Sequence, residues 1–270
     1  MPSLWTAKPG ATAAVEHPAA YRARLASTAA ERQAAQALRF EVFNLELDEG
    51  LVQSYDLGLD ADPFDEVCDH LIVLDSRDDT VVGTYRLQTG AAARAGLGYY
   101  SEREFDLAPF EAARAQTLEL GRACIHRRHR NFAVLNLLWK GIAHYARESG
   151  MRYLIGCSSL TSQDASEGAA AYVRLAANLA PPAWRTVPRQ AFACPLQVVA
   201  PTAPPVPRLL AAYLALGAGI CGPPAIDREF RTIDFLTWLD IQSPTVRAMQ
   251  SRGRFAARGI DRLEAGSDER

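Results

Sequence analysis

Residues 117–160 limit the folds open to this chain more than any other stretch. Residues 117–125 read as a β-strand with Gly121 at its centre. A basic loop, Arg127, Arg128, His129 and Arg130, follows, and Asn131 then stands where a side-chain cap opens a helix. Val134, Leu135, Leu138, Trp139, Ile142, Ala143 and Ala146 recur on one face of that helix, Gly150 closes it, and residues 153–160 form a second strand. Strand, long helix and strand have the length of one βαβ crossover. Such a unit requires two parallel strands in one sheet with a helix packed on its face.

The rest of the chain supplies mostly short strands. Thr28-x-x-Glu31 is a capping box before Leu38, Val42 and Leu45 at helical spacing, which predicts a helix near 28–47. Residues 70–74 and 81–87 flank a charged turn and predict a hairpin. After 160 the pattern predicts a helix around 163–178, a strand at 190–199, a linker at 201–207, a short helix at 208–217 and a last strand at 232–241. Residues 1–26 read as a loosely attached arm and 246–270 as a polar tail. The expectation is a single domain over 27–245, with its core at 28–200 and a C-terminal extension at 201–245. Its class is α/β or α+β: a mixed sheet flanked by helices.

Charge narrows the function. The 29 basic residues, of which only Lys8 and Lys140 are lysine, are balanced by 31 acidic ones. With that near-neutral balance no global field draws the chain onto nucleic acid. The five cysteines are unpaired in spacing and lack a C-x-x-C, which argues against a disulfide framework or a zinc site and for a reducing compartment. No stretch is long and apolar enough to span a bilayer. A cytoplasmic protein is expected. Peripheral contact with the inner membrane surface is conceivable through the apolar run 209–221 or a tail carrying Arg252, Arg254, Phe255, Arg258 and Ile260.

Three local constellations can carry chemistry. In Glu119-Leu-Gly121-Arg122 a strict alternation would send the acid and the base to opposite faces, and Gly121 suggests a bulge that breaks it and splays the sheet. Glu119 is a candidate base; its alternative is an ion pair with Arg122 or Arg86. The amides opening the next helix, around Asn131, Phe132 and Ala133, beside Arg127, Arg128 and Arg130, form a candidate phosphate site. Carboxylates at Asp62 and Asp65 precede the first hairpin strand, either as turn formers or as a cation site. His126-x-x-His129 lacks a third ligand nearby and is not taken as a metal pair.

Together, Leu38-Arg39-Phe-x-Val42-Phe43, Asp62-x-x-Asp65-x-x-Cys68-Asp69-His70-Leu71, Val82-Gly-Thr-Tyr-Arg86-Leu87 and Tyr100-Ser101-x-x-Glu104-Phe-Asp-Leu resemble the L-ornithine N-acyltransferases of the GNAT superfamily. So do Glu119-Leu-Gly-Arg122, Leu137-Leu-Trp-x-Gly-Ile142, Tyr153-Leu-x-Gly-Cys157 and Asp227-Arg-x-Phe-x-Thr-x-Asp234. The resemblance runs from about residue 30 to about 250. The front half is also similar to acyl-homoserine-lactone synthases, but Gly121 stands where those enzymes usually carry Ser, and no Trp follows the first helix.

The resemblance implies a GNAT-like, mostly antiparallel sheet with a splayed central strand. It implies transfer of a long-chain, optionally 3-hydroxylated, acyl group from a phosphopantetheine thioester to an amino acid's α-amine. The donor would be acyl carrier protein, which the resemblance favours over coenzyme A, and the acceptor ornithine or a similar amino acid. No permanently bound cofactor or metal is implied. On this reading Glu119 is the base, Arg122 and Arg86 hold the substrate carboxylate, and Arg39 belongs to the same substrate site. Asp62 and Asp65 take the cationic side chain, Tyr172 protonates the leaving thiolate, and Cys124 and Cys157 are packed thiols. Two other readings remain open: an acetyl- or acyl-CoA-dependent GNAT enzyme acting on a small amine, and a non-catalytic module binding an acyl chain or a carrier.

Overall fold

The computed structural model describes residues 20–251. Among the described residues there are eight strands: β1 (Tyr21–Leu25), β2 (Asp69–Asp75), β3 (Val81–Thr89), β4 (Thr117–Ile125), β5 (Tyr153–Leu160), β6 (Gly219–Ile220), β7 (Ala225–Asp227) and β8 (Thr232–Asp240). The helices are α1 (Ala29–Phe40), α2 (Ser54–Leu57), α3 (Gly90–Ala95), α4 (Phe132–Glu148), α5 (Ala165–Arg174), α6 (Arg208–Ala215) and α7 (Pro244–Ser251). The strands join into one sheet in the order β1-β2-β3-β4-β5-β8-β6, with β7 also on β8.

All its pairings are antiparallel except β4 with β5, the pair joined by the α4 crossover. The two parallel strands pair only over Thr117–Glu119 and Tyr153–Ile155, then diverge. The expected splay therefore lies between β4 and β5.

Local sequence explains α4 well. The Asn131 side chain accepts from the Val134 amide and caps the helix, and Gly150 takes the left-handed conformation just beyond it. Val134, Leu138, Ile142 and Ala146 bury against Leu71, Val73, Val82 and Leu118 on the sheet. Close approach at the splay needs a glycine: a Cβ on Gly156 would stand 2.3 Å from the Leu120 carbonyl oxygen.

Four expectations change. Residues 21–25, assigned to a loose arm, form β1 and pair with β2 (residues 1–19 lie outside the described residues). No strand forms at 190–199, where a 3-10 turn (Gln190–Phe192) and a single bridge from Ala193 to Ala225 stand instead. The short strands β6 and β7, unforeseen, occupy the β8 edge. The expected polar tail begins as helix α7, and residues 252–270, with the arginines invoked for membrane contact, lie outside the described residues. In the run 209–221, Leu210, Ala218, Ile220 and Cys221 are buried. No described helix is long and apolar enough to cross a membrane.

Candidate active site

Where β4 parts from β5, a cavity of about 640 Å³ opens, lined by Arg86, Gln88, Tyr100, Ser101, Glu104, Glu119, Gly121, Arg122, Cys157, Asp227 and Asp234 among others. An apolar annex of about 110 Å³ shares Tyr85, Leu120, Gly121, Cys157 and Leu209 with it and runs back to Trp139, Ile142, Leu216 and Val246.

A bulge shapes the polar wall. Thr84 opposes Cys124 and Arg86 opposes Gly121, so Arg122 and Ala123 together face Tyr85. The left-handed residue is Arg122 (φ 51°), not Gly121, whose added Cβ would meet open space. A side chain in that backbone region is uncommon, and such strain concentrates at functional sites. The turn at Arg122 brings its guanidinium over the rings of Tyr100 and Phe230, 4.7 and 4.2 Å from their centroids.

Glu119 makes neither of the ion pairs considered from sequence. Its Oε2 accepts from the Tyr100 amide at 2.6 Å and its Oε1 from the Ser101 amide at 2.7 Å. Burial pushes its carboxyl above the usual carboxylate range; the bonds from Ser101 and Tyr100 restrain the rise without cancelling it. A buried carboxylate with raised proton affinity on a cavity wall is suited to take a proton from an amine.

The expected substrate clamps are brought together, but upon one another. Arg39, with none of its side chain exposed, bonds Asp60 Oδ2 at 3.0 Å and Asp65 Oδ2 at 2.7 Å. Arg86 Nη1 meets Asp62 Oδ1 at 2.7 Å and Asp65 Oδ1 at 3.2 Å, and Arg122 Nη2 meets Asp62 Oδ2 at 2.8 Å. Burial pushes the Asp62 and Asp65 carboxyls up, but the guanidiniums of Arg86 and Arg122 around Asp62, and of Arg39 and Arg86 around Asp65, outweigh it and hold both below their ordinary value. Asp62 also caps a 3-10 turn, accepting from the Phe64 amide. Asp62 and Asp65 are thus engaged by arginines rather than open to a substrate amine, and Arg39 is sealed from any ligand. Of these residues, Arg86 and Arg122 line the cavity.

Arg130 reaches the cavity, where it pairs with Glu46 and donates to the Ile125 carbonyl. Arg127 and Arg128 lie on an exposed 3-10 turn before the α4 start, and Phe132 is exposed beside Ala133 in the first turn. His126 pairs with Glu41 and His129 lies against Tyr21. Tyr172 on α5 packs against the cluster of Leu160, Leu175 and Ile233 and does not line the cavity, away from where a leaving thiolate would need a proton. Burial pushes the Cys124 and Cys157 thiols up, away from a reactive thiolate.

Sequence reasoning gave no role to Glu104, Asp227 and Asp234, buried on this cavity. Their signal was present in the family motifs. Among the described residues, Glu104, Cys157 and Asp234 are the one group whose ligating atoms cluster closely enough to suit a cation, all within 4.8 Å.

A mixed sheet splayed around a parallel pair is a GNAT-like fold, and residues 38–140 match the family described as the acetyltransferase (GNAT) domain. The chain is 35% identical over 244 residues to an L-ornithine N(alpha)-acyltransferase of Rhodobacter capsulatus, covering 84% of this chain and 92% of that one. An Agrobacterium fabrum protein of the same name is 34% identical, over 87% of this chain and 86% of its own. The chain therefore belongs to the L-ornithine N(alpha)-acyltransferase family and is an acyltransferase. Among solved structures, the AHL synthase LasI superposes with a TM-score of 0.51 at 10% identity, covering 89% of this chain and 95% of its own. FeeM, an N-acyl amino acid synthase from uncultured soil microbes, superposes at 0.50 and 13% identity, over 85% and 98%. Both likenesses concern the fold.

Proposed function

We propose that the enzyme transfers a long-chain acyl group from a phosphopantetheine thioester to the α-amine of ornithine, yielding a lyso-ornithine lipid. The carrying observation is the place of Glu119: on the polar wall of a cavity that continues into an apolar annex. Acetyl transfer has no use for that annex.

An α-amine with a pKa near ~8 is mostly protonated at neutral pH. It gives one proton to Glu119 and attacks the thioester carbon. The N–C bond forms, the C–S bond breaks and the nitrogen sheds a second proton. One of the two protons restores the departing thiol and the other leaves to water. Main-chain amides of β4 left unpaired beyond Glu119 would hold the oxyanion. Arg86 and Arg122, braced from behind by aspartates, would take the α-carboxylate with the donors those aspartates leave over. The pantetheine phosphate would rest on the Phe132 and Ala133 amides beyond the Asn131 cap, with Arg127, Arg128 and Arg130. The same basic loop suits acidic acyl carrier protein.

The test is a reconstituted assay with acyl carrier protein or coenzyme A carrying a long-chain acyl group, L-ornithine, and product detection by mass spectrometry. Glu119→Gln is expected to lower kcat ~10²–10⁴-fold. A variant as fast as the parent would remove Glu119 from the mechanism.

A further inference from the structure

Beside Glu119 the same wall carries a second acidic group that the reaction above leaves idle. Strand register places it. Gln88 on β3 faces Glu119 on β4, Glu119 aligns with Ile155 on β5, and Ser159 on β5 faces Asp234 on β8. Side chains alternate along each strand, so Gln88, Glu119, Cys157 and Asp234 share one face of the sheet. Glu104, just after the 3-10 turn Tyr100–Arg103, closes over that face and lies with Cys157 and Asp234 in the 4.8 Å cluster. Ser101 joins the two groups: its amide donates to Glu119, and its hydroxyl lies 3.5 Å from Cys157 Sγ.

Glu104 Oε2 and Asp234 Oδ1 are buried without a hydrogen-bond donor from outside the pair, in residues 2 and 4% exposed. Both line the cavity. Arg103, whose charge reaches Glu104, is already paired with Glu229. Burial and the repulsion between neighbouring carboxylates push both acids up, and Glu104 holds its proton in a hydrogen bond to Asp234. Native folds rarely leave buried acceptors unmatched. A primary ammonium, with three N–H groups and no acceptor, supplies donors to both carboxyls and takes the place of the shared proton.

We propose that Glu104 and Asp234 form the subsite for the side-chain ammonium of the acceptor, so that the enzyme selects a diamino acid over neutral ones. The inference rests on the acyl-transfer reading above. It also accounts for the site of acylation. A side-chain amine with a pKa near ~10.4 stays protonated and un-nucleophilic between carboxylates, whereas the α-amine yields its proton to Glu119.

The experiment compares kcat/KM for L-ornithine and for L-norvaline, which lacks only the side-chain amine, in the full chain and in Asp234→Asn and Glu104→Gln. Each substitution keeps the volume and removes one carboxyl of a crowded buried pair, so thermal melts should show folding retained. The ornithine-to-norvaline ratio is expected to fall roughly 30-fold or more, chiefly through KM. A parental ratio in both variants overturns the subsite while acyl transfer stands; failure of the parent to acylate any amino acid overturns the acyl-transfer reading instead. Calorimetric titration with each amino acid alone reads the subsite without turnover. Tighter binding of ornithine than of norvaline, lost in the variants, supports it. Equal binding, or a requirement for Zn²⁺ or Mg²⁺ in binding ornithine, overturns it.

Discussion

Replacing Asp65 with Asn tests whether the arginines beside the cavity are held by the fold or held for the substrate. In the parent, three guanidiniums (Arg39, Arg86, Arg122) face three carboxylates (Asp60, Asp62, Asp65), with no side chain of the six more than 9% exposed. Asp65 alone serves Arg39 at 2.7 Å and Arg86 at 3.2 Å, and accepts from Gln36 at 3.1 Å. Asparagine keeps the volume but leaves the cluster with one buried positive charge uncompensated. Breaking a buried pair in this way costs ~3–5 kcal/mol. At about 2–4 °C per kcal/mol for a domain this large, the melting temperature should fall by roughly 6–20 °C. Scanning calorimetry gives the first readout and the ornithine KM the second. A shift under about 2 °C with a large rise in KM would refute the structural assignment and return Asp65 to the substrate.

Two further outcomes follow from the cavity. Gly121 faces open space and its φ is one that any residue adopts, so Gly121→Phe should fold normally and project into the acyl annex. Activity with long acyl chains should then drop at least tenfold relative to short ones, measured across a chain-length series; an unchanged profile would place the acyl chain elsewhere. The second concerns pH. Only ionised Glu119 accepts a proton, and burial raises its proton affinity. The base form is therefore lost, as pH falls, at a pH above the ~4.3 of an ordinary glutamate. The acid limb of kcat/KM should lie there and vanish in Glu119→Gln; a limb at the ordinary value would contradict the buried setting.

The elements nearest the reaction were legible because their signals are local. The Asn131 cap and the apolar period of α4, the hairpin β2–β3, and the strand lengths of β4 and β5 each depend on neighbours in the chain. Their combination into a βαβ unit predicted the parallel pair, while Gly121 and the family resemblance pointed to the splay. Short edge strands such as β1, β6 and β7 carry too few residues to show a period, and at 190–199 the apolar run stays mostly exposed and pairs only through the bridge from Ala193 to Ala225. Glu119 stood out because an acid inside an apolar strand is conspicuous.

Chain order and residue type dictated the crossover helix, the distorted strand and the acid within it, since each answers to interactions spanning a few residues. Folding decided which charges remain available. Arg39, Arg86 and Arg122 and their three aspartates, spread from residue 39 to residue 122, meet and neutralise one another only when α1, the turn at Pro63–Glu66, β3 and β4 pack together. Glu104 and Asp234, 130 positions apart, converge in one buried cluster with Cys157. Coulombic pairing depends on distance in space and on burial, neither of which a one-dimensional pattern encodes.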